Sequence, residues 1–288
     1  MLHHKQNTTI RWCFVYMKKM ESRSGYGSEL GAISRARGRV FDSPMLPFLD
    51  PLRYNASKSM GDEPLETYRN PFHANHLYLR LTEEEADALS PACFAELFEK
   101  HGLPLQVMVF SDAKRTISLL QRSGFELKRR CYELQVGPSD LLAHVSKGIP
   151  PLSLAKKGSS AYFACAELLY HYYRDTHAAI NPLTASLSEF MEALPAEVLY
   201  DGPSGRPTSA AFIEGNEIAY LCSFDPAGFP AFARSLLAEL FDRYDQIEFE
   251  ADDTDWAATA VKDMFFIKID RSFDTYVYLN QPSGYDKL

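Results

Sequence analysis

Short apolar runs alternate with longer amphipathic stretches along this chain, and the same order occurs in both of its halves. In each half the pattern predicts a strand, a helix, a second strand and a second helix, followed by a residue pair with an aromatic side chain that leads into further strands. These pieces lie at 76–81, 95–101, 106–110, 113–122 and 124–125 in the first half, and at 217–222, 238–244, 246–250, 255–264 and 265–266 in the second. Because strands that alternate with helices pack beneath those helices, the pattern predicts an α/β fold.

One segment occurs twice with few changes. Residues 95–101 read Ala-Glu-Leu-Phe-Glu-Lys-His, and residues 238–244 read Ala-Glu-Leu-Phe-Asp-Arg-Tyr. The first four positions are identical, and the next two keep their charge. We therefore predict two related halves that superpose through these two helices.

The second half also carries turn signals. Gly215-Asn216 separates the strand-like runs Ser209–Ile213 and Glu217–Phe224, which predicts a hairpin. The pattern further predicts a closing antiparallel pair between Ile267–Ile269 and Thr275–Leu279.

Composition and charge narrow the class of protein. The chain has 288 residues, of which 46% are hydrophobic and 24% are charged, and this is typical of a globular protein. A formal charge of −8 argues against a nucleic-acid binder that neutralises phosphates. No apolar run approaches the length of a membrane span. We therefore expect a soluble cytoplasmic protein without a nucleic-acid or membrane partner.

The cysteines and histidines of this chain are not spaced as the ligands of a metal site usually are. Five cysteines are present, and no two have C-x-x-C spacing, so the sequence predicts free thiols and no zinc site. His73 and His76 could bind a metal together, but no carboxylate or third histidine follows them at ligand spacing. This favours two turn histidines and no metal site.

The N-terminus differs from the rest of the chain. Its apolar run, Trp12–Met17, is too short for the core of a signal peptide, and no small-residue cleavage site follows it. We interpret residues 1–25 as a disordered leader. The domains predicted after it are 26–140 and 150–282.

The order of elements in the second half resembles the GNAT superfamily of acyl-CoA-dependent N-acyltransferases over about residues 156–280. Residues 70–136 resemble the last two-thirds of a second such module, although the Pro-rich stretch 26–69 does not match its opening helices. The resemblance implies two tandem modules, each a mixed twisted sheet with helices on both faces.

The resemblance also implies a binding site for acetyl-CoA, the co-substrate of that family. The family binds the CoA pyrophosphate in a loop of the pattern Q/R-x-x-G-x-G/A, at the N-terminus of a helix. The preceding strand holds the pantetheine arm. Here the positions implied are Leu221, Cys222 and Ser223 on the strand, and Gly228, Phe229, Ala231, Phe232, Ala233 and Arg234 in the loop and helix.

This loop departs from the family pattern in two ways. Gly228 stands where the family has Gln or Arg, and Pro230 removes one amide donor. The equivalent stretch of the first half, 82–94, contains no glycine and carries four carboxylates that would repel a pyrophosphate. We therefore expect CoA only in the second half, with the first half shaping an acceptor cleft.

The catalytic candidates are carboxylates. Glu248, Glu250 and Asp252 alternate along one predicted strand and so share a face, from which Glu250 or Asp252 could deprotonate an acceptor amine. The alternative is an ordinary exposed strand face. The helical slot in which many family members carry a general-acid Tyr falls near Ala260 or Val261.

The sequence thus suggests an N-acyltransferase that acts in the C-terminal half on the amine of a small molecule or a protein. The alternative is an inactive GNAT-like binding or structural module, which the altered loop and the missing Tyr favour. Transfer of an aminoacyl group from a charged tRNA is disfavoured, because acidic residues outnumber basic ones in this chain. The acceptor, the acyl chain and the oligomeric state are left open.

Overall fold

The structure is a computed structural model that describes residues 65–143, 151–203 and 206–279. The predicted leader, 1–25, and the predicted opening of the N-terminal domain, 26–64, lie outside the described residues. All the described residues belong to one compact unit.

Ten strands and seven α-helices are found in this part of the chain. The strands are β1 Glu66–Tyr68, β2 Leu77–Arg80, β3 Leu105–Phe110, β4 Glu126–Val136, β5 Ser153–Lys156, β6 Glu197–Asp201, β7 Ser209–Glu214, β8 Glu217–Ser223, β9 Ile247–Asp252 and β10 Phe273–Tyr278. The helices are α1 Glu83–Ala88, α2 Ala92–His101, α3 Lys114–Arg122, α4 Ser160–His177, α5 Leu187–Ala193, α6 Phe229–Arg243 and α7 Trp256–Lys262.

The strands form one mixed sheet in the order β1-β2-β3-β10-β4-β9-β8-β7-β6-β5. The pairs β2–β3 and β8–β9 are parallel, and the other neighbours are antiparallel. The predicted hairpin is present as β7 and β8, joined through Gly215, whose φ of 62° favours glycine. The mixed α/β fold predicted from the sequence is therefore confirmed.

The repeated order of elements is also found. Helix α2, which contains the repeated segment 95–101, lies in the connection between the parallel strands β2 and β3. Helix α6, which contains most of the segment 238–244, connects the parallel strands β8 and β9. The strands of both halves join in a single sheet, and the division into tandem domains at 26–140 and 150–282 stays a prediction.

The prediction of an antiparallel pair between residues 267–269 and 275–279 was wrong for the first of these two strands. Residues 267–269 form no strand, and β10 pairs instead with β3 on one side and with β4 on the other. Lys268 and Asp270 are exposed, whereas five of the six residues of β10 are buried. A strand whose residues are buried on both faces lies at the centre of a sheet, whereas an exposed segment that carries charges stays outside it.

Helices cover both faces of the sheet. On one face, Tyr162 of α4 packs against Phe212 of β7 with 5.5 Å between the ring centroids. On the opposite face, Phe265 contacts Phe249 of β9 at 6.0 Å and Phe241 of α6 at 6.3 Å. Side chains on both faces of the central strands are therefore buried. Among the described residues, no helix has the length and apolar character that crossing a membrane requires.

The central position of β10 leads to a stability prediction. We expect Val277→Pro to unfold the protein or to raise its unfolding equilibrium constant by about 100-fold or more, because Val277 is paired with Gln106 of β3 and with Glu126 of β4. Urea unfolding and amide hydrogen exchange in β3 and β4 measure the effect. Thr67→Pro in β1, at the edge of the sheet, is the control and should cost less. Equal losses in the two variants would show that β10 is not central.

Candidate functional site

A gap opens between the parallel strands β8 and β9. These strands are paired only at Glu217 with Glu248 and at Ile218 with Phe249, although β8 continues to Ser223 and β9 continues to Asp252. Beyond Ile218 the two strands diverge, while β8 stays paired with β7 and β9 stays paired with β4. We call this opening the strand gap.

The β8 wall of the strand gap contains three of the predicted cofactor-binding residues. Leu221 is half-buried, and Cys222 and Ser223 are buried. Burial raises the pKa of the Cys222 thiol well above its usual value, so this side chain stays neutral. The Ser223 hydroxyl lies 2.9 Å from that of Ser209 and accepts a hydrogen bond from the amide of Asp225 at 3.0 Å. Cys222 and Ser223 therefore stabilise the end of β8 and the turn after it.

The predicted pyrophosphate loop leads directly into α6. Asp225 Oδ1 accepts a hydrogen bond from the amide of Gly228 at 3.0 Å, and the carbonyl of Asp225 accepts one from Phe229 at 2.9 Å. The amide of Ala231 donates to the carbonyl of Gly228 at 3.0 Å, and Pro230 has no amide hydrogen. The first amides of α6 are thus bonded within the loop, and a carboxylate lies beside them.

Asp225 also explains the glycine at 228. A Cβ at this position would lie 2.3 Å from Asp225 Oδ2, so only glycine lets the carboxylate approach. The other predicted loop residues differ in burial: Phe229, Phe232 and Ala233 are buried, and Ala231 and Arg234 are exposed. Of these six positions, Gly228, Ala231 and Arg234 are therefore the ones that solvent reaches.

Aromatic rings lie where β8 and β9 have diverged. Trp256 contacts Phe229 with 5.0 Å between the ring centroids, and Tyr172 of α4 lies 5.7 Å from Phe224 and 6.5 Å from Trp256. The Tyr172 hydroxyl donates a hydrogen bond to Asp255 Oδ1 at 2.5 Å. This bond links α4 to the start of α7 across the carboxyl end of the strand gap.

The Tyr172–Asp255 pair has no counterpart among the sequence predictions. Asp255 is the N-cap of α7 and accepts hydrogen bonds from the amides of Ala257 and Ala258 at 3.0 and 3.1 Å. An aspartate just before a helix is a common capping signal. The partnership with Tyr172 depends on long-range packing and leaves no trace in the sequence.

The β9 wall of the strand gap carries the predicted catalytic carboxylates. Glu248, Glu250 and Asp252 are half-buried and alternate with buried apolar residues, which confirms that they share one face of the sheet. Burial raises the pKa of Glu250 to about 7, and the negative charges of Asp252 and Glu133 act in the same direction. Glu250 also accepts a hydrogen bond from the Cys131 thiol at 3.6 Å. It is therefore a carboxylate that gains and loses a proton near neutral pH.

Asp252 belongs to a buried polar cluster beside Glu250. Arg129 Nη1 lies 3.0 Å from Asp252 Oδ2 and donates a hydrogen bond to His177 Nε2 at 2.9 Å. His177 Nδ1 in turn donates to the carbonyl of Tyr173 at 3.0 Å. Burial, together with the charge of Arg129, lowers the pKa of His177 well below its usual value. This histidine therefore stays neutral and orients Arg129 toward Asp252.

The two histidines flagged in the sequence are buried in turns. His73 Nε2 accepts a hydrogen bond from the Tyr173 hydroxyl at 3.1 Å, and its Nδ1 donates to the carbonyl of Pro182 at 3.3 Å. His76 Nδ1 donates to Gln106 Oε1 at 3.0 Å. Within the described residues, no group of three or more metal-ligating side chains is arranged to hold a metal ion.

Comparisons with known proteins give structural likeness only. No family model matches the sequence, and no curated protein matches it. A GCN5-related N-acetyltransferase from Kribbella flavida aligns with a TM-score of 0.45 and 15% identity, over 75% of this chain and 86% of that one. A GCN5-related N-acetyltransferase from Sphaerobacter thermophilus aligns with a TM-score of 0.45 and 8% identity, over 74% and 75%. A probable N-acyltransferase from Enterococcus faecalis aligns with a TM-score of 0.44 and 10% identity, over 75% of this chain and 57% of that one.

The buried histidines lead to a pH prediction. Burial, together with the charges of Arg129 and His76, lowers the pKa of His73 from 6.5 to about 4. The unfolded chain therefore binds a proton that the folded chain does not. The stability that a neutral His73 provides is present above pH 6.5, and it is lost as the pH falls toward 4, by about 3 kcal/mol for this ring alone.

His73→Gln should reduce the loss of unfolding free energy between pH 6.5 and 4.5, because glutamine does not titrate. Urea unfolding at intervals between pH 7.5 and 4.5 measures the slope. The control is His171→Gln, since His171 lies exposed on α4. The prediction fails if the wild-type protein and His73→Gln lose stability equally across this range.

Proposed function

We propose that the C-terminal half of this protein transfers an acyl group, such as acetyl, from a CoA thioester to an amine. The observation that carries the proposal is the strand gap, because it places an unpaired stretch of β8 opposite a carboxylate that titrates near neutral pH. Among the described strands, none is paired with β8 on this side beyond Ile218. An extended thioester arm can therefore lie along that edge and hydrogen-bond to its backbone.

The residues of the strand gap would hold the reacting groups as follows. Leu221, Cys222 and Ser223 would contact the thioester arm, and backbone amides of this strand would polarise the acyl carbonyl. When bound, CoA supplies an acyl group that is activated as a thioester. The diphosphate of CoA does not fit the N-terminus of α6 in the arrangement described, because the Asp225 carboxylate lies there.

Glu250 is the general base in this proposal. An acceptor amine arrives protonated at neutral pH and must lose a proton before its nitrogen can attack. Glu250, with a pKa of about 7, can accept that proton as soon as the solution is neutral or slightly alkaline. Asp252 is held by Arg129, and its charge helps to raise the pKa of Glu250. Asp252 therefore acts by tuning Glu250.

Neither of the two residues at the position expected for a general-acid Tyr can donate a proton. Ala260 and Val261 lie on α7, and neither side chain carries an exchangeable proton. The Tyr172 hydroxyl already donates its proton to Asp255. We therefore assign protonation of the leaving thiolate to water and expect a modest rate. The acceptor that we propose is the amine of a small molecule or a protein in the cytoplasm.

Two observations favour the second candidate function, an inactive GNAT-like module that binds or supports other molecules without acyl transfer. The amide of Gly228 is bonded to Asp225, and aromatic rings close the carboxyl end of the strand gap. Both features oppose CoA binding. The two candidates differ in turnover, because only the acyltransferase releases CoA from acetyl-CoA when an amine is present. The absence of any stabilisation of the folded protein by CoA or acetyl-CoA would also favour the second candidate.

Removal of the Asp225 charge should strengthen CoA binding. Asp225→Asn keeps an oxygen that accepts the Gly228 hydrogen bond and removes the repulsion toward a diphosphate, which amounts to about 1–4 kcal/mol per pair of unit charges at 4 Å. We expect CoA to bind at least about tenfold more tightly, as measured by calorimetry and by the CoA-dependent shift in Tm. Asp242→Asn is the control, because Asp242 lies exposed near the other end of α6. Failure of CoA to bind either variant would favour the second candidate.

The role of Glu250 can be tested through the pH dependence of turnover. CoA release is measured with a panel of amines between pH 6 and 9, and kcat/KM should rise through about pH 7 as Glu250 loses its proton. Glu250→Gln should lower kcat by about 100-fold or more and remove this rise. Glu248→Gln, on the same face of β9, is the matched control. If acetyl-CoA binds and no amine gives turnover, the acyltransferase proposal is wrong.

A further inference from the structure

Two large aromatic side chains are exposed at the carboxyl end of the strand gap. Phe224 directly follows β8 and is 52% exposed, and Trp256 begins α7 and is 39% exposed. An exposed apolar patch with polar residues around it is typical of a binding site. Both rings therefore have surface available to a ligand at this end of the strand gap.

A buried tyrosine contacts both exposed rings. Tyr172 is 4% exposed, and its ring centroid lies 5.7 Å from that of Phe224 and 6.5 Å from that of Trp256. The planes of these two rings are inclined to that of Tyr172 by 89° and 69°. The three rings therefore form one connected group, which we call the aromatic cluster.

A carboxylate accompanies each exposed ring. Asp225 follows Phe224 in the chain, and Asp255 precedes Trp256. Both aspartates accept hydrogen bonds from backbone amides, and Asp255 also accepts one from the Tyr172 hydroxyl. Within the described residues, no lysine or arginine forms an ion pair with either of them. Their negative charge is therefore not balanced by a basic side chain of this part of the protein.

Exposed aromatic rings and unbalanced carboxylates together favour a cation. The face of a ring attracts a positive charge, and each exposed ring contributes about twofold to fivefold to the affinity for a cation. The carboxylates attract a cation as well, whereas they repel the diphosphate of CoA. Rings of Phe and Trp accept no ordinary hydrogen bond, so a primary ammonium would lose hydrogen bonds to water against them. A quaternary ammonium has no N–H group and loses none.

We infer that the aromatic cluster and its two aspartates bind a quaternary ammonium group at the carboxyl end of the strand gap. Its methyl groups would contact the exposed rings of Phe224 and Trp256, and the charges of Asp225 and Asp255 would balance its positive charge. Free choline and the trimethylated lysine of a protein both carry such a group. The site does not depend on acyl transfer by the protein.

The fluorescence of Trp256 tests this inference directly. The chain has two tryptophans, Trp12 and Trp256, so Trp12→Phe leaves Trp256 as the only one. Titration of this full-length variant with choline, at constant ionic strength and chloride concentration, should change the emission saturably. The alcohol 3,3-dimethyl-1-butanol has the shape of choline without its charge, and it should bind at least about tenfold more weakly. A parallel titration with N-acetyl-trimethyllysine amide identifies the source of the group, since the better-fitting ligand binds more tightly.

Substitutions at the cluster separate the contributions of the ring and the charge. Phe224→Leu and Asp225→Asn should each weaken choline binding by about threefold or more. Phe163→Leu is the matched control, because Phe163 is 47% exposed on the same helix as Tyr172 but lies nine residues before it. This control should bind choline as the parent protein does.

Three results would overturn the inference. The first is equal affinity for choline and for the neutral alcohol, which would make the cluster an apolar site. The second is the absence of a saturable change at Trp256 together with no heat of binding in calorimetry. The third is an equal loss of affinity in Phe224→Leu and Phe163→Leu. The comparison of choline with the alcohol decides the question even if a cluster variant fails to fold.

Discussion

The antiparallel pairing of β10 with β3 and β4 is the interaction on which the rest of the structure depends. It joins strands that come from both halves of the sequence into one sheet of ten strands. With β10 in place, β4 continues the sheet to β9, and β9 in turn forms one wall of the strand gap. The positions of Arg129 and Cys131, both on β4, relative to Glu250 and Asp252 are set by the pairing of β4 with β9, a strand more than a hundred residues away in sequence.

Burial of charged and titratable groups beside the strand gap has two opposite effects. The carboxyl group of Glu250 lies among other negative charges, and its pKa rises to about 7. The imidazoles of His73 and His177 lie near the positive Arg129, and their pKa values fall. Burial disfavours whichever form of a group carries the charge. It therefore raises the pKa of the Glu250 carboxyl group toward neutrality, and it keeps the imidazoles of His73 and His177 neutral.

The strand gap contains features that favour acyl transfer and features that oppose it. The unpaired edge of β8 and the raised pKa of Glu250 suit a thioester and an amine. In the proposed reaction, the Asp225 carboxylate at the start of α6 and the aromatic rings at the carboxyl end of the gap would oppose the entry of CoA. These opposing features are local, and single substitutions separate them.

The sequence by itself determined the local elements. The alternation along 247–252 predicted a strand with three carboxylates on one face, and Gly215-Asn216 predicted the turn between β7 and β8. Both signals depend on neighbours a few residues away, for which side-chain periodicity and turn conformation suffice. Tertiary structure alone decided that β10 lies between β3 and β4, that Asp225 bonds to Gly228, and that the pKa of Glu250 rises. Strand order depends on contacts between distant segments, and a pKa depends on burial and on charges supplied by other strands, so neither is encoded in a local pattern.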